Sequence, residues 1–152
     1  MLKSLVRGGL LGAAALTLML GRSMVSPAAA KGAPKDAGGI TWVSSLTDAQ
    51  KSAARSKKVI MVDFGADWCG PCKKMLATTY KDKSVVAKSK NFVPVLIDID
   101  KQAAVARKYQ IEAVPTVIFM DAKGKVLART LGYQAAADFV KLMDDAQKKA
   151  KS

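Results

Sequence analysis

The chain has 152 residues, half of them hydrophobic, and carries 25 Lys and Arg against 12 Asp and Glu. That is enough for one domain plus a targeting segment, with a core that needs no staples. Two cysteines exclude a disulfide scaffold, and with no histidine in the chain they fall short of the four ligands of a closed zinc site. No metal and no cofactor is expected. The positive balance favours acidic partners or anionic surfaces, but the lysines are scattered without the aromatic residues that would stack bases, so nucleic acid is not an expected partner.

Residues 1–30 have the three parts of a secretory signal. Lys3 and Arg7 charge the start, Leu10 to Leu20 is an apolar stretch of 11 residues, and Ala28-Ala29-Ala30 offers a small-residue cleavage site before Lys31. The apolar stretch is short beside the ~20 residues that span a bilayer. Arg22 and the long interval before Ala28 keep an uncleaved anchor open as the alternative, and membrane contact is expected only in that case. Residues 31–40, rich in Gly, Pro, Ala and Lys, read as a flexible linker. Residues 41–150 then form a single domain.

Trp42 to Leu46 reads as a short strand or a segment packed on the domain, with Trp42 in the core. Thr47 and Gln50 have capping-box spacing and open a helix to about Ser56. Val59 to Phe64 is apolar except for Asp63, as in a strand buried on both faces. A helix is expected from about Cys69 to Tyr80 and a shorter one near Ser84 to Ser89. Phe92 to Ile99 reads as a strand, Lys101 to Tyr109 as a helix and Thr116 to Met120 as a strand. Asp121-Ala122-Lys123-Gly124 is a turn, Lys125 to Leu131 pairs back as a hairpin, and Ala135 to Lys148 closes the domain with an amphipathic helix. This alternation implies an α/β fold, a central mixed sheet with helices on both faces.

Both cysteines lie in the run Val62-Asp63-Phe64-Gly65-Ala66-Asp67-Trp68-Cys69-Gly70-Pro71-Cys72. Residues i and i+3 in a first helical turn share a face, near enough for a disulfide to close. A CxxC pair with nothing to complete a metal site reads as redox chemistry. A free thiol of pKa about 8.5 is only ~3 % thiolate at neutral pH, and a helix N-terminus favours the anion at Cys69. Lys73 and Lys74 add cations nearby. Pro71 fits the first turn because it loses no hydrogen bond there, and Gly70 lets another backbone approach. Asp63, in an apolar strand, is expected to have a raised pKa.

Trp68 to Cys72 matches the Trp-Cys-Gly-Pro-Cys signature of the thioredoxin family letter for letter, and the resemblance runs through Val114-Pro115-Thr116 over roughly residues 57–147. It implies the thioredoxin fold, with Cys69 as exposed nucleophile, Cys72 as the deeper resolving thiol and Asp63 as its general acid/base. It also implies a cis Val114–Pro115 bond facing the cysteines, with the backbone before it turned toward an extended substrate; without the resemblance Pro115 reads as an ordinary edge residue. Trp68 covers the rim of the site or packs in the core, and Gly132 lines the same groove beside Tyr133 or only enters a helix. Three departures stand out. Leu96 occupies the strand position where many thioredoxins carry a lysine near the Asp, and Gly65-Ala66 replaces a Trp-Ala pair. The helix after Cys72 also lacks the usual kinking proline. These traits resemble exported thioredoxin-like proteins, including the C-terminal domain of membrane disulfide reductases.

The expected function is thiol–disulfide exchange. The leading reading is reduction of protein disulfides outside the cytoplasm, in a periplasmic or similar compartment, by a Cys69/Cys72 cycle. Its partners would be disulfide-containing proteins and a membrane electron donor, with the chain a monomer. An oxidase or isomerase is the alternative within the same chemistry. A thioredoxin-fold binding or chaperone module is the alternative outside it.

Overall fold

The computed structural model describes residues 35–37 and 39–152; the leader expected over residues 1–30 lies outside them. Lys35–Ala37 (β1) and Ile40–Trp42 (β2) pair antiparallel, so part of the stretch expected as linker is a hairpin. Gly39, just before β2, has φ +91°, which a side chain rarely tolerates. Ile40 and Trp42 alternate inward and are buried, which anchors β2 to the domain. The strand expected over Trp42 to Leu46 ends at Trp42, beyond which Val43 makes only an isolated parallel bridge to Val95.

Leu46–Ser56 forms α1. Its cap is Ser45, whose hydroxyl accepts from the Asp48 amide at 3.2 Å, and not Thr47. Starting the helix there turns Leu46 inward, and Leu46, Ala49 and Ala53 are its buried stripe. β3 (Val59–Gly65) is buried along its whole length. α2 (Gly70–Ala77) is followed by a 3₁₀ turn, Thr79–Lys81, and α3 (Lys83–Ser89). The helix expected to reach Tyr80 therefore stops three residues early. The Thr78 hydroxyl donates to the Lys74 carbonyl (2.7 Å), sharing a ladder acceptor, and that of Thr79 donates to the Gln134 carbonyl (2.6 Å) outside the helix.

β4 (Phe92–Asp98), α4 (Ala103–Lys108), β5 (Thr116–Met120), β6 (Val126–Leu131) and α5 (Ala136–Lys151) complete the chain. α4 begins two residues late because the Asp98 carboxylate accepts from the Asp100 and Lys101 amides and holds a turn there. The sheet order is β4-β3-β5-β6, parallel between β3 and β4 and antiparallel elsewhere, the mixed sheet that the element order implied.

β3 divides the core by alternation. Ile60, Val62 and Phe64 pack with α1 and the Tyr109 end of α4. Val59 and Met61 pack on the other face with Met75, Tyr80, Val85, Phe139 and Met143. Asp63 has the parity of this second face, beneath α2. A run of ring contacts, Trp42 to Tyr80 (4.9 Å), Tyr80 to Phe139 (5.5 Å) and Phe139 to Phe119 (6.0 Å), stiffens it. No helix among the described residues is long and apolar enough to cross a membrane.

Candidate active site

β3 delivers the chain to the top of the sheet at Gly65, and five residues later α2 begins. Cys69 is the cap of that helix: its amide donates to the Ala66 carbonyl (3.1 Å), and its Sγ accepts from the Cys72 amide (3.1 Å). The sulfur thus sits on an otherwise unpaired helix-terminal N–H, the place where an anion is favoured. Pro71 lies in the first turn, where it breaks no hydrogen bond. Cys69 and Cys72 are joined in a disulfide with Cα atoms 5.3 Å apart.

The expected contrast between an exposed Cys69 and a shielded Cys72 is not present in this oxidised form. Cys69 is 3 % exposed and Cys72 5 %, because the closed bond turns each sulfur onto the other. The two differ in what they face. Cys72 lines a cavity of about 340 Å³, and Cys69 does not. Gly70 has nothing within 4 Å of where a Cβ would stand, so the surface over the first turn is open.

Asp63 lies on the same cavity as Cys72. It is 2 % exposed, and its carboxyl is raised from 3.8 to about 7, chiefly because burial penalises the charge; the Tyr80 hydroxyl pulls the other way. Its sheet neighbours are Leu96 on β4 and Val117 on β5, both apolar. Trp42, Leu76 and Ile97 make the apolar wall of the cavity, while exposed Lys73 and Lys101 stand at its rim.

Trp68 belongs to the rim and not to the core. It is 67 % exposed, and its Nε1 donates to Asp100 Oδ2 at 2.9 Å. Beside it the Lys101 ammonium bridges Asp98 (2.6 Å) and Asp67 (3.1 Å). The hydrogen bond from Lys101 holds the Asp98 carboxyl below its ordinary value, and the two carboxylates push Lys101 up to about 12. These contacts clip the loop before Cys69 to the turn after β4.

Thr116 pairs with Phe64, so β5 begins where β3 ends, and Pro115 stands at the helix-bearing edge of the sheet. The Val114–Pro115 bond is cis, as the resemblance implied. The Pro115 carbonyl accepts from the Gly132 amide at 2.8 Å. Gly132 has φ +84°, which a side chain rarely tolerates, and open space around it. Next to it the Tyr133 ring lies 4.4 Å from the Lys74 ammonium, and its hydroxyl is 3.3 Å from that of Thr78, so the Gly132 turn is tied to α2. Val114 packs toward the opposite face with the α1 cluster.

Sequence reasoning missed Tyr80, Asp100 and Lys101. Tyr80 lies past the end of α2, where helical periodicity no longer tells which way a side chain points. Asp100 and Lys101 had only one signal, the acidic pair Asp98 and Asp100 flanking a strand end.

The thioredoxin-like domain family matches residues 46–147, and the chain belongs to that family. Thioredoxin H5 of Arabidopsis thaliana is 40% identical over 82 residues, which are 54% of this chain and 66% of that protein. The thiol:disulfide interchange protein DsbD of Vibrio vulnificus (strain CMCP6) is 36% identical over 94 residues, 58% of this chain and 16% of that protein. The chain thus spans less than two thirds of the length of either relative. Among solved structures, a thioredoxin from Thermus thermophilus aligns with a TM-score of 0.66 at 23% identity, covering 74% of this chain and 90% of that one. A DsbH oxidoreductase aligns with 0.62 at 23% identity, covering 76% and 88%. The fold is the thioredoxin fold.

Proposed function

We propose that the chain is a thiol–disulfide oxidoreductase that reduces protein disulfides outside the cytoplasm. One observation carries the chemistry: a CxxC disulfide caps a helix, with a buried carboxyl of pKa about 7 on the cavity behind its second sulfur. In the reduced protein the Cys69 thiolate attacks one sulfur of a substrate disulfide, forming a mixed disulfide and expelling the other sulfur as a thiolate. The Asp63 carboxylate then takes the proton from the Cys72 thiol. The Cys72 thiolate attacks Cys69 Sγ, breaks the mixed disulfide and releases the second substrate sulfur. Two electrons have passed to the substrate, which leaves as two thiols once protonated, and Cys69–Cys72 is oxidised. A dithiol donor must reduce it again, and a membrane carrier fits an exported chain.

Trp68, Gly70 and Pro71 on one side and Val114, Pro115 and Gly132 on the other would bound the substrate groove. The open surface at Gly70 and Gly132 supports this. The leader-like residues 1–30, the Gly-Pro dipeptide and the similarity to DsbD support the reductive direction and the compartment.

The test is insulin reduction by the purified chain with dithiothreitol, beside Cys69→Ser. Activity lost in the variant supports the proposal, and equal turbidity in both samples would leave a binding module. A reduction potential near about −270 mV supports a reductase, and one near about −120 mV an oxidase. Export is read from a fusion of residues 1–40 to a phosphatase active only outside the cytoplasm.

A further inference from the structure

Among the described residues, three buried side-chain oxygens have no hydrogen-bond partner, and two of them are Asp63 Oδ1 and the Tyr80 hydroxyl. The third, on Tyr109, belongs to the opposite face of the sheet. Tyr80 is wholly buried, its ring set edge-on against Trp42 and against Phe139, so its hydroxyl has little freedom to wander. A phenylalanine would fill the same space without leaving a buried hydroxyl unmatched. The hydroxyl and the carboxyl nonetheless act on each other: the phenol draws the carboxyl down against burial, and the carboxylate raises the phenol. Tyr80 is absent from the cavity wall that Asp63 and Cys72 share, and it is buried in the core on the Asp63 face of β3.

We propose that Tyr80 is the positioning residue for Asp63, its hydroxyl donating to the carboxylate from behind so that the other side faces the Cys72 proton across the cavity. This rests on the reading of Asp63 as the base of the resolving step. The proton moves from Cys72 Sγ to the Asp63 carboxylate, and Tyr80 keeps its own proton throughout. Its effect is to hold a share of Asp63 ionised near neutral pH, which burial alone would suppress. The other ionisable groups around Asp63 are few. Cys72 faces it from α2, and Asp67, Lys73, Asp98 and Lys101 stand on the cavity rim. β4 and β5 oppose it with Leu96 and Val117, and α5 contributes Phe139 and Met143 to the same core.

The experiment uses the full chain and Tyr80→Phe, which removes one oxygen and keeps the ring contacts. The Asp63 carboxyl is titrated in the oxidised protein by NMR with carbon-13-labelled aspartate. Resolution is timed in the reduced protein by stopped flow with the chromogenic disulfide 5,5′-dithiobis(2-nitrobenzoate), as release of the second chromophore across pH. In Tyr80→Phe both midpoints should rise by about one pH unit, slowing release about tenfold below the midpoint while the alkaline plateau is kept. Asp63→Asn should erase the step. An unmoved or lowered midpoint in Tyr80→Phe, with the step gone in Asp63→Asn, overturns the role of Tyr80 and leaves that of Asp63. A step that survives Asp63→Asn overturns both.

Discussion

Asp63 stands directly opposite Leu96 in the parallel register of β3 and β4. Leu96 is half-buried, packs against the core on the Asp63 face and lines the cavity. Neither this neighbour nor Val117 on β5 gives the buried carboxyl a counter-charge, and desolvation dominates its titration. Leu96→Lys should place an ammonium beside it and bring the carboxyl down from about 7 by one unit or more. Carboxyl NMR of the variant reads this directly. An unmoved midpoint would show that the lysine reaches past Asp63 to the cavity rim.

The same burial makes the fold sensitive to pH. Unfolded, the Asp63 carboxyl ionises near 3.8; folded, it keeps its proton to about 7. Between those values unfolding releases a proton, so stability is fully present below the unfolded pKa and is lost as pH rises through the folded one. At 1.36 kcal/mol per unit the span amounts to about 4 kcal/mol. Asp63→Asn should be free of this loss, so its urea midpoint, compared with that of the parent at pH 5 and pH 8, should gain most at the higher pH. Parallel midpoints across that range would mean that the carboxyl is ionised in the folded protein.

Gly65 ends β3 beside Cys72, the proposed resolving thiol. A Cβ there would stand 3.5 Å from Cys72 Sγ and 3.6 Å from its Cβ, which is ordinary contact. Gly65→Ala should therefore fold, with stability raised by about 0.5 kcal/mol through the less flexible unfolded chain. It would also fill the corner of the cavity next to Cys72. In a Cys69→Ser background, iodoacetamide should then alkylate Cys72 several-fold more slowly. Gly70→Ala, which meets nothing within 4 Å, should leave that rate unchanged. Equal rates in the two alanine variants would place the reagent's approach elsewhere than through the cavity.

The elements that sequence reading placed well are those whose signal is local. Val59 to Phe64 is apolar except for Asp63 and is buried throughout. Asp121 to Gly124 carries its own turn chemistry, with the Asp121 carboxylate accepting from the Lys123 and Lys125 amides. The raised Asp63 follows from an acid in an apolar strand. What escaped depends on distant partners. Lys35–Ala37 has no alternation of its own and is a strand only because β2 pairs with it. α2 stops where Thr79 finds a carbonyl 55 residues further on, and after that break Tyr80 is buried in the core against Trp42 and Phe139. The exposure of Cys69 was misjudged because it depends on whether the disulfide is closed. Residue type and position carry no mark of that.

The contact between Trp68 and Asp100 is the last that sequence could not show, and it separates positioning from stability. Trp68 is mostly open to solvent and held by one hydrogen bond, from Nε1 to Asp100 Oδ2 at 2.9 Å. Exposed polar contacts of this kind add little to the folding free energy, since water replaces the lost partner. Their effect is on where the ring sits, and the ring is one residue from Cys69, the proposed nucleophile. Asp100→Ala should leave the urea midpoint within about 0.5 kcal/mol of the parent. It should speed hydrogen exchange of the indole N–H and raise KM for insulin more than it changes kcat. Asp100→Asn keeps an acceptor and should restore both. Fast indole exchange with an unaltered KM would show that a freely turning Trp68 serves the substrate as well as a fixed one.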